Sequence, residues 1–239
     1  KACHYLTASS PQIAAAYQQK YKLPLPVTIL NVFPLAQRRC VFRATDHTGP
    51  IRLYWFSQTI GAGRGLEDAI LAMGQMNHLQ IELHLRGACH PTYAAELKQV
   101  AQSAGLSANR IHFHPPAPPN EMIALASQYD IGLALEPGRD ENNNIALSNK
   151  LFTYLTAGNA VVATATKSQV ALIEKIKPAG VSYLPGEVKS LAAILKNWYD
   201  SRHKLEQSRK LAWDWGTKEY NWDVEKKKIL GVISDVLQH

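Results

Sequence analysis

The sequence predicts an α/β protein, a doubly wound parallel sheet followed by C-terminal helices. Three observations carry this expectation. From Ile51 onward, short runs rich in branched and aromatic residues alternate with helical patterns, as in successive βαβ units feeding one sheet. Each run is apolar along nearly its whole length, so helices should cover both faces. The intervening segments space their apolar residues three or four apart.

Taken in order, KACHYLTAS reads as a strand. Ser10 is placed to cap a helix whose first position is Pro11, a residue that loses nothing there because that amide has no intrahelical partner. VTILN forms a second short strand. The polar, irregular stretch that follows, with Arg38, Arg39, Asp46 and Gly49, reads as a linker. One βαβ fragment cannot bury its own faces. Residues 1–34 are therefore expected to end a neighbouring domain, 35–50 to link, 51–215 to form the main domain, and 216–239 to be a helix packing back toward that neighbour.

The sheet strands are expected at IRLYWFS, IELHLRG, RIHFH, IGLALE, AVVATAT and GVSYL. Helices are expected at GLEDAILAMGQM, PTYAAELKQVAQSAG, PNEMIALASQY, ALSNKLFTYLTAG and SQVALIEKI. Ligands of such sheets bind beyond the carboxyl ends of the strands, which directs attention to the loops after Phe56, Arg86, His114 and Leu135. From Glu187 the chain reads as helical. Trp198, Trp213, Trp215 and Trp222 suit core packing, and Ile229, Val232, Ile233, Val236 and Leu237 form one apolar stripe.

With 239 residues, 46% hydrophobic and 19% charged, the chain can bury a sizeable core and is not of the disordered class. The net charge is +7, and many of its basic residues (Arg202, Lys204, Arg209, Lys210, Lys218, Lys226, Lys227 and Lys228) fall in the last forty residues, interleaved with acids, which reads as a solvated helix face. No basic motif with interleaved aromatics supports a nucleic-acid partner. No run approaches the roughly 20 apolar residues of a membrane span, so a cytoplasmic protein is expected, with any membrane contact peripheral. The first residues show no signal-peptide pattern. Because the chain starts at Lys1 rather than at a methionine, it is expected to begin within a longer protein. Cys3, Cys40 and Cys89 are few and odd in number, which fits reduced thiols better than a disulfide framework or a metal site.

The first chemical constellation is Ser57, Gln58, Thr59, Ile60, Gly61, Ala62, Gly63, Arg64 and Gly65, between a buried strand and a helix. Its glycines let the backbone approach a ligand closely. The helix N-terminus offers free amides and partial positive charge, which suits a phosphate, and Arg64 adds a planar donor fork. The spacing is neither the dinucleotide fingerprint nor a P-loop. A second constellation lies in EPGRDENNNIALSNKLFTYLTAG. An extended asparagine-containing loop should lead to a helix beginning near Ile145 to Leu147, with Leu147, Leu151, Tyr154 and Leu155 buried. Asn149, Lys150, Thr153 and Thr156 should form a polar stripe at the ligand end of the sheet. Two helix N-termini would then meet at one crevice, able with Arg64 and Lys150 to hold a diphosphate without a metal. Glu136, at a strand end, is a further candidate.

LYWFSQTIGAGRGLEDAILAM resembles the first strand, phosphate loop and helix of the donor domain in GT-B glycosyltransferases. ALSNKLFTYLTAGNAVVAT is similar to the donor-site helix and next strand of the retaining family-four-like group, and ASSPQIAAAYQQKYKLP with VTILNVF resembles the end of their acceptor domain. The resemblance implies a Rossmann-like GT-B donor domain. It further implies hexosyl transfer from a nucleotide diphosphate sugar, in polysaccharide biosynthesis, with retention and without metal or other cofactor. The acceptor would be a glycan, a lipid-linked molecule or a small molecule, held by an N-terminal domain largely outside this chain, and the chain alone would be inactive. On that pattern Ser57, Gln58, Gly61, Gly63, Arg64, Gly65, Glu136, Asn149, Lys150 and Thr153 would bind the donor, while His114 and Pro116 would edge the base. Gln58 stands where a second basic residue is common. Ile145 and Thr153 occupy the positions of a glutamate pair.

No catalytic residue is assigned. His4, His112 and His114 are weak candidates, and the last two are read as pointing to opposite faces of their strand, which argues against a shared metal site. Two alternatives stay open: a noncatalytic nucleotide-sugar-binding or scaffolding module, and a sugar-nucleotide epimerase.

Overall fold

A computed structural model describes residues 5–237. A short pair of parallel strands comes first. β1 (Thr7–Ala8) lies beside β2 (Val27–Thr28), joined through α1 (Pro11–Tyr21). Ser10 caps α1 by accepting the Ile13 amide at 3.1 Å, and its own hydroxyl donates to the Ile145 carbonyl at 2.6 Å. Of the strand expected over residues 1–9 only Thr7–Ala8 forms, Tyr5 and Leu6 lying outside it, and Lys1 to His4, Cys3 among them, lie outside the described residues.

The main sheet is built from β3 (Ile51–Ile60), α2 (Leu66–Gly74), β4 (Ile81–Cys89), α3 (Pro91–Ser103), β5 (Ile111–His114), α4 (Met122–Ala126) and β6 (Ile131–Ala134). After it come α5 (Glu141–Ile145), α6 (Asn149–Ala157), β7 (Ala160–Thr164), α7 (Lys167–Ile176), β8 (Gly180–Tyr183), α8 (Val188–Asp200), α9 (Arg202–Lys218) and α10 (Trp222–Leu237). Among the described residues its six strands are all parallel, in the order β5-β4-β3-β6-β7-β8. The winding direction reverses between β3 and β6, and a crevice opens there at the carboxyl edge. Along β3 the period of two sends Leu53 and Trp55 to one core and Tyr54 and Phe56 to the other. Helices α2, α3 and α8 supply the first core; α4, α6, α7 and α9 supply the second. The doubly wound sheet matches the sequence expectation.

Local departures follow from packing. The expected asparagine loop is instead the short helix α5, capped by Asp140, whose carboxylate accepts the Asn143 amide at 2.7 Å. The next helix starts at Asn149, leaving Leu147 outside it. Every residue from Lys150 to Ala157 is buried, because α6 lies between the sheet and α9. Gly216 permits that closeness: a β-carbon there would come within 2.5 Å of the Thr156 backbone. The expected polar stripe is therefore corrected. Thr153 and Thr156 do not face solvent; their hydroxyls donate to the carbonyls of Asn149 (3.2 Å) and Phe152 (2.8 Å), one turn back.

Of the tryptophans, Trp198 is buried while Trp213, Trp215 and Trp222 are half-buried. The α10 stripe is open in this chain, with Ile233 and Leu237 exposed, whereas the first turn of that helix is anchored. Glu225 is buried and accepts the Leu30 amide at 3.0 Å, and Asp223 accepts that of Leu35 at 3.2 Å. The irregular 35–50 stretch is tied down by arginines. Arg43 donates to Asp130 at 2.5 Å, and the wholly buried Arg209 donates to Thr45 and to the Arg43 carbonyl, both at 2.9 Å. Among the described residues no helix is long and apolar enough to cross a membrane.

Candidate functional site

Two strands reach further than the rest. β3 and β4 pair Phe56 with Arg86 and then Thr59 with Ala88, so Ser57 and Gln58 together oppose the single residue Gly87. This is a β-bulge. Gly87 has φ +149°, and a β-carbon on it would meet the Ser57 carbonyl at 2.5 Å, so glycine is required for the bulge to close.

Beyond the bulge, the chain turns through Gly61–Gly65 into α2. Gly63 and Gly65 have φ +73° and +72°, in the region that other residues adopt only with strain. Gly65 packs against Leu135, whose carbonyl would be 2.9 Å from an added β-carbon, and Gly63 sits beneath the Arg139 guanidinium. Gly61 has neither constraint: nothing lies within 4 Å of its β-carbon position. Arg64 is exposed at the tip of the turn. Glu67 and Asp68 in the first turn of α2 are engaged elsewhere, accepting from Tyr93 Oη (2.6 Å) and the Gly186 amide (2.9 Å).

Ser57, Gln58, Pro116, Asn149 and Lys150 line one cleft of about 390 Å³, together with Phe33, Phe56, Arg86, Ala117, Pro119 and Met122. Gly63 and Gly65 line a second, of about 340 Å³, with Arg139, Pro137 and Thr164. Arg64, Gly61, Glu136, His114 and Thr153 line neither cleft. Lys150 Nζ donates to Glu136 Oε1 at 2.7 Å, tying the first turn of α6 to the end of β6, and lies 5.6 Å from the Trp55 ring centre. Burial would raise the Glu136 carboxyl, but Lys150, Ser148 and Arg64 outweigh it and hold the group below the ordinary range. Ser148, at the N-cap position of α6, makes no side-chain capping bond.

Arg86 went unassigned in the sequence, although the loop after it was in view. It is buried. Its Nε donates to the Tyr54 hydroxyl at 3.0 Å and one terminal nitrogen to the Pro115 carbonyl at 2.9 Å, which orients the guanidinium along the cleft wall. Burial, partly offset by Arg86, raises the pKa of the Tyr54 hydroxyl, so it is protonated at neutral pH. The legible signal was a basic residue at the carboxyl end of a buried strand. Arg139 was missed as well; it follows Gly138 in the loop after β6 and reaches back over the glycine turn.

The histidine reading is corrected. Residues two apart along a strand share a face, and His112 and His114 both turn to the side that carries His84. The His84 ring stacks on His112 at 4.4 Å and on His114 at 5.3 Å, and His84 Nδ1 is 3.1 Å from His114 Nε2. Burial and the neighbouring His112 push the His84 pKa down to about 4.

No family model and no curated protein matches the chain. Solved structures do. Sucrose-phosphate synthase from Thermosynechococcus elongatus superposes with a TM-score of 0.78 at 17% identity, over 99% of this chain and 59% of that one. HepE from Anabaena, in complex with UDP and glucose, gives 0.77 at 18%, over 97% and 63%. A glycosyltransferase from Rickettsia africae gives 0.78 at 16%, over 98% and 64%. The chain thus spans about three fifths of the length of these structures. Its fold is that of the GT-B glycosyltransferases, and a GT-B C-terminal domain, as the sequence resemblance implied, fits it.

Proposed function

We propose that this chain is the donor half of a glycosyltransferase, binding a nucleotide diphosphate sugar and stabilising the departing nucleotide as the sugar passes to an acceptor hydroxyl. The observation that carries the reading is the cleft at the β3/β6 switch point, where Ser57, Gln58, Arg86, Asn149 and Lys150 meet. Apolar walls from Phe33, Phe56 and Met122 suit a base and ribose, while the α6 N-terminus and the cations suit a diphosphate. Among the structural neighbours, HepE is solved with UDP, with UDP and glucose and with UDP-glucose, and TarM with UDP.

Charge on the leaving diphosphate would be shared by first-turn amides, Arg64, Arg86 and Lys150, and on this reading transfer needs no metal. Lys150 would exchange its contact with Glu136, or share it, when the donor binds. Retention, a cytoplasmic setting with at most peripheral membrane contact, and a glycan, lipid-linked or small-molecule acceptor on a separate N-terminal domain belong to the same proposal. The chain without that domain would bind but not transfer.

Titration calorimetry with UDP, GDP, ADP and dTDP tests the reading. Saturable binding of at least one, weakened in Arg64→Ala and in Lys150→Ala, is expected; heat from none of the four would overturn it. Thr153 favours a second reading, a binding module without turnover, because a buried, internally bonded hydroxyl stands where the family carries a carboxylate. Nucleotide release from donor sugars by the full-length parent protein separates the two.

A further inference from the structure

Away from the cleft, the edge of the sheet carries a polar cluster whose side chains do not line it. β4 and β5 run parallel with His84 paired to His112 and Arg86 to His114. Glu82 lies two residues before His84, so Glu82, His84, His112 and His114 share one face of two neighbouring strands. One donor atom from each of Glu82, His84 and His112 lies within 4.8 Å of the other two. Glu82 Oε2 and His84 Nε2 are 3.3 Å apart, which is the edge of a tetrahedron of zinc–ligand bonds about 2.0–2.1 Å long. His112 Nε2 is buried and has no hydrogen-bond partner, an unusual state for a ring nitrogen.

We infer that Glu82, His84 and His112 form a divalent-metal site, taking Zn²⁺ by preference, that clamps β4 to β5 at the sheet edge. Two imidazoles and one carboxylate make a set that suits zinc, with a fourth position left for water. Closing the separations to the tetrahedral edge takes at most about 1.5 Å, together with a turn of the His112 ring out of its 12° stack on His84, so that both in-plane lone pairs meet one ion, and a rotamer change at the half-exposed Glu82.

His114 completes the arrangement. If His84 ligates through Nε2, its Nδ1–H donates to His114 Nε2 across the observed 3.1 Å, the outer partner that fixes the tautomer of a metal-bound imidazole. Tyr129, 4.8 Å from the His84 ring, walls the site on its inner side. Arg52 Nε stands 4.0 Å from Glu82 Oε2, the outer limit of an ion pair, and would yield that oxygen to a metal. None of the three ligands lines the donor cleft, so the ion is structural and independent of whether sugar transfer needs a metal.

Calorimetric titration of the chain with ZnCl₂ at neutral pH, with Co²⁺ visible absorption as a second readout, tests the inference. One site per chain is expected, lost in His112→Ala, weakened more than tenfold in Glu82→Gln, and weakened about 10–100-fold with its stoichiometry kept in His114→Ala. Circular dichroism confirms that each variant folds, and should His112→Ala fail, the surface change Glu82→Gln carries the test. Absence of stoichiometric zinc binding would overturn the site. So would binding that survives both His112→Ala and Glu82→Gln, or that disappears in Cys40→Ser/Cys89→Ser while both of those variants retain it.

Discussion

Lys150 and Glu136 meet at 2.7 Å, with the lysine side chain 9% exposed and the glutamate 21%, and the pair joins the helix that opens the cleft to the strand that ends beneath it. Removing the lysine leaves a carboxylate poorly solvated and without its main partner. Lys150→Met is expected to cost about 1–3 kcal/mol, read from urea unfolding.

The same pair sets a pH dependence. The Glu136 carboxyl is held below its ordinary value of about 4.3. Its stabilising contribution is therefore fully present above that value and is lost as pH falls through the lower folded-state value. Glu136→Gln should flatten this part of the acid limb of stability, with the difference from the parent chain vanishing below the folded-state pKa.

The glycine turn yields a paired prediction. Gly65→Ala forces a left-handed residue and pushes a methyl toward the Leu135 carbonyl, and is expected to cost about 1–2 kcal/mol or more and to weaken nucleotide binding. Gly61→Ala meets open space and should leave the melting temperature unchanged. Equal losses in the two variants would contradict the geometry.

Asp130 pairs with Arg43 of the irregular 35–50 stretch at 2.5 Å and with Arg209 of α9 at 3.4 Å. Burial, only partly offset by Asp130, brings the Arg209 pKa down to about 10, so the guanidinium stays charged at neutral pH. Asp130→Ala would strand that charge in the interior at a cost of about 3–5 kcal/mol, measurable as a shift in the urea midpoint.

Arg86 supplies a prediction on binding. Its guanidinium is oriented by Tyr54 and Pro115, and a lysine cannot keep both contacts while presenting a fork. Arg86→Lys should weaken nucleotide diphosphate binding about 10-fold or more, the equivalent of one charged hydrogen bond. Tyr54→Phe, which removes only the orienting hydroxyl, should weaken it less.

The parallel sheet was legible because strands buried on both faces are apolar from end to end, as IGLALE and AVVATAT are. The glycine turn was legible too, since Gly63 and Gly65 occupy positions where a side chain would be strained. Arg86 carried a signal, a basic residue at the carboxyl end of a buried strand, and the period of two already puts His112 with His114 and Glu82 with His84; the meeting of the two pairs was not legible, because it exists only once β4 and β5 are aligned. Thr153 misled for a related reason. Its hydroxyl lies on the polar side of a helical wheel, but α6 is enclosed by the sheet and by α9 from much later in the chain, and the hydroxyl turns back to the Asn149 carbonyl.

The bulge opposite Gly87 has a further consequence. β6 stops level with Phe56, whereas β3 runs four residues further, about 13 Å at the usual rise per residue. Strands β3 and β4 therefore stand above the rest of the sheet as a two-stranded parapet along one side of the crevice. Their tips carry the Gly61–Gly65 turn above the carboxyl edge, where Arg139 from the loop after β6 reaches over Gly63.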